Sequence, residues 1–250
     1  MKLLRRLGST YARIGRTYWT WRWGLLLLGL AIFVPLGLLD ALALQVDVDS
    51  LDLDSGIKVA ALILAVALVT TTGLLGEVFF SGAVAISLTH PENDRPPPLS
   101  HIARQLNYRR LIAVDLLYVL FVVVGLTALI VPGVLVFVFL GLAGPIVELE
   151  QRTVRGAFTR SWEIVRGNFW FVFWVLAPIE VVGDAAGEAL VHFVHDWLGE
   201  TFFASWLSEA SSNIVLSPLF AVAAVLLTVE LIHRKDGSGP QLHSAPGVTG

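Results

Sequence analysis

The chain contains no cysteine. Disulfides, thiolate nucleophiles and cysteine-ligated metals are therefore excluded. Charge is also scarce. Asp, Glu, Lys and Arg make up 15% of the 250 residues, against about 25% in water-soluble domains. There is no glycine-rich phosphate loop, no dinucleotide fingerprint, no HExxH pair and no GxSxG elbow. The usual signatures of nucleotide binding, zinc hydrolysis and serine hydrolysis are thus missing. Nor are there ten-residue segments of alternating hydrophobicity, the pattern of a transmembrane barrel.

What is abundant is apolar. Hydrophobic residues reach 56% and the mean hydropathy is +0.75. A chain of this length cannot bury so much apolar surface in water. Several runs approach or exceed the roughly 20 apolar residues that a helix needs to cross a bilayer. The expected class is an all-α polytopic membrane protein of six transmembrane helices, spanning about 23–44, 57–88, 111–131, 134–147, 169–198 and 211–233. Residues 1–22, with six basic residues among Tyr11, Tyr18, Trp19 and Trp21, suit a membrane interface. Residues 234–250 read as a disordered tail.

Charge sets the expected orientation. If 23–233 crosses six times, 16 of the 17 basic residues fall on one side and only Lys58 on the other. Both termini are then cytoplasmic, with the protein in the plasma (inner) membrane. The acidic run Gln45 to Gly56 falls on the far side, and its spacing is not that of a calcium loop. Because the bases flank membrane spans, nucleic acid is not an expected partner; anionic lipid headgroups are.

Local signals refine the layout. Residues 57–88 are too long for an upright crossing, with Thr70-Thr71-Thr72-Gly73 and Gly76 as weak points. Pro96-Pro97-Pro98 precedes an interfacial helix at about 99–110, with Ser100 as its expected N-cap. Pro132-Gly133 reads as the turn of a hairpin. Pro178 is expected to kink its helix, and residues 199–209 read as a loop.

Residues 131–170 organise the chain. A short apolar run ends in Glu148 and Glu150. A basic amphipathic helix over about 152–167 follows, and a further apolar run begins at Phe169. Charges at mid-membrane cost at least about 2.5–3.5 kcal/mol each, so they face partners or cavities. Glu77, Asp115, Glu148, Glu150 and Glu230 form one such group, at the depth of Arg155, Arg160 and Arg166. A structural lock, with Arg160 on Glu150 or Glu230, is the leading reading; a polar cavity for a headgroup, an ion or a proton is the alternative. Glu180, Asp184, Glu188 and His192 recur every four residues on one face, with His195 and Asp196 beyond. Carboxylate and imidazole at that spacing can hold a divalent metal, so Asp184, Glu188 and His192 are the candidate ligands. A hydrated helix face is the simpler reading, and no cofactor is expected.

One stretch carries a family pattern. Pro132-Gly133, Pro145, Glu150, Ala157, Arg160-Ser161-Trp162, Gly167 and Phe169 are spaced along it. This resembles the six-transmembrane domain of some glycerophosphoryl diester phosphodiesterases and of related bacterial membrane proteins. Thr228-Val229-Glu230 followed by Arg234-Lys235 stands where that family ends in a Tyr-Tyr-Asp-like group and then bases; here the tyrosines are absent and the acid is Glu. The resemblance implies a membrane domain with Glu150, Arg160, Ser161, Trp162 and Gly167 as its marked positions. In those phosphodiesterases the chemistry belongs to a separate barrel of about 250 residues, so hydrolysis is not implied here. The expectation is a non-catalytic membrane protein that assists lipid handling or envelope homeostasis. A transporter using Glu77 or Asp115, or a lipid enzyme holding metal at Asp184, Glu188 and His192, is the alternative.

Overall fold

The computed structural model describes residues 2–43, 76–89, 97–199 and 201–237. Among these the chain forms helices and no strand. In order they are α1 (Lys2–Ala43), α2 (Glu77–Thr89), α3 (Leu99–Gln105), α4 (Tyr108–Ala128), α5 (Ile130–Leu140), α6 (Ala143–Leu149), α7 (Val154–Val165), α8 (Phe169–Leu198) and α9 (Phe202–Asp236). Five stretches are helical, long and apolar enough to cross a membrane: Leu3–Leu38, Tyr108–Ala128, Ile130–Leu149, Phe169–Val194 and Asn213–Asp236. Together they mark a multi-pass membrane protein. Most of the span expected at 57–88 falls on residues 57–75, outside the described residues; α2 is its described end.

The core is built around α2 and the second half of α9. Val78, Phe80, Ala83, Val84, Ala85 and Leu88 of α2 are buried, as is the whole run Phe220 to Val229 of α9. A helix that is apolar and buried on all sides belongs at the centre of a bundle. α6 packs on α2 through Gly144. A Cβ at that position would lie 2.3 Å from the Val78 carbonyl oxygen and 2.6 Å from Ser81 Oγ. Only glycine permits so close an approach of backbones. Gly144→Ala is therefore expected to destabilise the protein by about 3 kcal/mol, the upper end of the overpacking range. Gly167→Ala, where nothing lies within 4 Å of the added carbon, is expected to leave the melting temperature in detergent unchanged. Equal melting of wild type and Gly144→Ala would refute the close packing.

Large apolar side chains also cover the outside. Ile112, Leu116, Leu120 and Val124 are exposed at intervals of four along α4, and Leu27, Leu30 and Leu38 along α1. Such stripes suit contact with hydrocarbon and would be a liability in water.

Several sequence expectations change in detail. The segment 1–22 and the span 23–44 are one continuous helix, α1. Thr10 and Ile14 in its basic part are buried against the bundle. The hairpin does not turn at Pro132-Gly133. The break is at Leu129, whose backbone is extended (φ −167°, ψ 150°). Pro132 instead sits in the first turn of α5, and Pro145 in the first turn of α6. There a proline costs no hydrogen bond, since the first-turn N–H groups have no intrahelical acceptor. Gly133 serves the hairpin by closeness: a Cβ on Gly125 would lie 2.9 Å from its Cα.

The run 134–147 is broken by the turn at Gly141-Leu142 between α5 and α6. The interfacial helix expected at 99–110 ends at Gln105, is capped by Pro98 rather than Ser100, and gives way to α4 at Tyr108. Residues 202–209, expected as loop, are the first turns of α9. The indole N–H of Trp206 donates to the Val34 carbonyl at 3.3 Å, fixing that end to α1. Pro178 lies within α8. The first residues of the tail expected at 234–250 are helix instead, because α9 runs through Arg234, Lys235 and Asp236; residues 238–250 lie outside the described residues. Gly237 has φ +72° and its N–H donates to the His233 carbonyl at 3.0 Å. That is the left-handed glycine stop of a helix.

Candidate functional site

The polar residues gather in layers where helix ends meet. The first is at α7. Thr153 caps this helix, its hydroxyl accepting from the Gly156 N–H at 3.3 Å. Ala157, Arg160, Ser161, Ile164 and Val165 face inward, while Arg155, Thr159, Trp162 and Arg166 are exposed. Arg160 is thus on the buried face, at 7% exposure. Its Nε donates to Glu150 Oε1 at 3.0 Å and its Nη2 to Asp236 Oδ2; Nη1 is 3.7 Å from Glu163 Oε2. Burial disfavours its charge, but Asp236 and Glu150 more than offset this and raise its pKa above the ordinary guanidinium value. Arg152 closes on Glu150 at 2.8 Å and Lys235 on Glu163 at 3.2 Å. The cluster is charge-balanced, with Arg152, Arg160 and Lys235 against Glu150, Glu163 and Asp236.

Two neighbours of Arg160 seat the same helix. Ser161 Oγ donates to the Phe139 carbonyl at 2.6 Å, serving a backbone acceptor in the last turn of α5. Trp162 stacks on Phe139, with ring centroids 4.0 Å apart, and keeps its other side exposed. Three marked positions therefore have distinct jobs: Arg160 ties α7 to the α6 end and to α9, Ser161 ties it to α5, and Trp162 covers Phe139.

Glu148 and Glu150, adjacent in sequence, part company. Glu148 is buried and accepts from the Asn107 backbone N–H at 2.9 Å and from Asn107 Nδ2 at 3.3 Å. It holds the start of α4 against the end of α6 and so closes the base of the α4–α6 hairpin. Arg110 reinforces the closure by donating to the Gln151 carbonyl at 3.1 Å.

Asp115 works in the same way from inside the bundle. Its Oδ2 accepts from the Gly76 N–H at 2.7 Å and its Oδ1 from the Val78 N–H at 3.2 Å. These are N–H groups at the start of α2, which its own helix cannot satisfy. Gly76, one of the expected weak points, has φ +96°, a conformation that favours glycine. Glu77 is buried beside it.

Glu230 forms a third centre, separate from Arg160. Arg6 Nε lies 3.1 Å from Glu230 Oε1, Arg234 Nη2 3.1 Å from the same oxygen, and Arg13 Nη1 3.7 Å from Oε2. Arg6 also reaches Asn168 Oδ1 at 3.4 Å, and its guanidinium carbon sits 3.3 Å from the centre of the Phe171 ring. The sequence grouping of Glu230 with Arg160 thus divides into two clusters bridged by the last turn of α9. Arg6, Asn107, Asn168 and Asp236 were not singled out from sequence. For Asp236 a signal existed: Gly237 marks where α9 stops.

The α8 stripe is different. Glu188 and His192 are exposed, with 4.0 Å between His192 Nε2 and Glu188 Oε1. The side chains of Asp184 and His195 lie outside the described residues. Among the described residues no group of three or more His, Asp or Glu gathers as metal ligands would.

Comparison with family models, with curated proteins and with solved structures finds no match.

Proposed function

We propose that this chain is a non-catalytic, six-span protein of the bacterial inner membrane, with both termini and α7 on the cytoplasmic face. There α7 lies at headgroup level against anionic lipid, and the protein assists lipid handling or envelope homeostasis. The observation that carries this reading is the two-sidedness of α7. Its inner face is tied down by Arg160, Ser161 and Ile164, while Arg155, Trp162 and Arg166 stay exposed. Exposed arginine and tryptophan on a helix tied to the ends of α5, α6 and α9 suit the headgroup zone. The resemblance at 131–169 to the membrane domain of glycerophosphoryl diester phosphodiesterases supports the same placement.

The intramembrane carboxylates support a structural role over ion coupling. Asp115 and Glu148 are each engaged with backbone N–H groups at helix starts. A coupling group must be free to exchange its proton or ion; a cap must not.

Topology tests the orientation directly, since the chain has no native cysteine. Ser50→Cys and Gly167→Cys are expected to react with a membrane-impermeant maleimide from opposite sides, Gly167→Cys only in inverted vesicles. Labelling of both from one side would refute the six-span arrangement.

A further inference from the structure

The two arginine clusters differ in charge. Around Arg160, three cations meet three carboxylates. Around Glu230, Arg6, Arg13 and Arg234 share one carboxylate. Among the described residues no second carboxylate pairs with any of these three. The negative end of α9 offsets at most about half a charge, so the hub keeps an excess of about one and a half positive charges.

It is short of acceptors as well. Arg6 Nη2 is buried with no hydrogen-bond partner. The excess is also open to a ligand: the Arg13 and Arg234 side chains are 52% and 51% exposed, whereas Glu230 is 16% exposed. Arg6 holds Glu230 from the inside, and the two outer guanidiniums present their remaining donors outward. Near the membrane such an excess is poorly screened and calls for an anion. A tetrahedral oxyanion fits best, because guanidinium forks match phosphate oxygens in pairs.

We propose that the Glu230 hub binds a phosphate group between Arg13 and Arg234, presented as a lipid headgroup or as free phosphate. The proposal deepens the reading of this face as the headgroup-level side, and rests on it for the lipid source only.

The test uses the full chain in phosphatidylcholine nanodiscs with a minor fraction of phosphatidic acid. Native mass spectrometry of the released protein is expected to show retained phosphatidic acid. The double variant Arg13→Ala/Arg234→Ala keeps the Arg6–Glu230 pair and is expected to melt as wild type. It should retain about tenfold less of that lipid, the loss expected when charge-assisted hydrogen bonds are removed. Arg104→Ala/Arg109→Ala, equal in charge, exposed and outside both the hub and α7, should retain it as wild type does.

A second arm adds inorganic phosphate to lipid-depleted protein. Stabilisation that is absent in the Arg13/Arg234 variant assigns the site to free phosphate; lipid retention without that stabilisation assigns it to a headgroup. Failure of both arms, or an equal loss in the Arg104/Arg109 variant, overturns the site. Carbonate extraction separates the two readings. Protein that stays in the membrane yet binds neither probe refutes the hub alone. Protein stripped from the membrane refutes the membrane placement and leaves the phosphate arm to judge the hub.

Discussion

Replacing Arg160 with methionine is expected to cost about 3 kcal/mol of stability. Breaking a buried ion pair by removing one partner costs about 3–5 kcal/mol, because the other charge is left without compensation. The low end applies here. Glu150 is 15% exposed and Asp236 41%, so part of each carboxylate can be rehydrated. For a chain of this size that loss corresponds to a fall of roughly 6–12 °C in melting temperature, measured in detergent by circular dichroism.

The variants around Arg160 sort the causes. Glu150→Gln added to Arg160→Met should recover part of the loss, since it removes the stranded charge. Arg160→Lys should fall between wild type and Arg160→Met: it keeps one charge but cannot reach Glu150 and Asp236 together with a planar fork. The same replacement should loosen α7, read as faster hydrogen exchange over Val154–Val165. An unchanged melting temperature in Arg160→Met would refute the tie between α7, α6 and α9.

Asp115→Ala carries the second large effect, also about 3 kcal/mol. Two N–H groups at the start of α2, those of Gly76 and Val78, lose their acceptor. A buried donor left without a partner costs about 1–3 kcal/mol, and inside a membrane bundle water is not at hand to replace the carboxylate. The interaction of a negative group with the positive end of α2 is lost as well. Asp115→Asn keeps one acceptor oxygen and should lose roughly half as much. The transport reading makes the opposite forecast: Asp115→Asn would melt as wild type while flux in proteoliposomes vanished. Measuring both quantities on one preparation therefore distinguishes a cap from a coupling group.

Much of the architecture was legible in the chain. Apolar runs marked the long helices, because a helix in lipid satisfies its backbone internally and needs only length and apolarity. The span beginning at Phe169 and the polar helix near 152–167 followed from spacing alone, whereas Ser161 and Trp162 were marked only by the family resemblance. Helix ends were less legible. Pro132-Gly133 has the composition of a turn, yet a proline fits equally well in the first turn of a helix. Leu129, which makes the break, carries no turn signal. Arg234, Lys235 and Asp236 read as the start of a polar tail, although Gly237 was there to extend α9 over them.

The sequence by itself determined that the chain is helical, apolar and multi-pass, and that its scarce charges crowd the ends of its spans. Which charge meets which was decided only by the tertiary structure. Arg6 and Glu230 are 224 positions apart, Arg160 and Asp236 76 apart, and Gly76 and Asp115 39 apart. An α-helix turns about 100° per residue. A partner is therefore chosen by the rotation and axial offset of whole helices, which glycine contacts such as Gly144 on Val78 set and local spacing does not. That is why Glu150 and Glu230, alike in sequence setting, end in different hubs: one balanced around Arg160, the other holding more positive charge than its single carboxylate can neutralise.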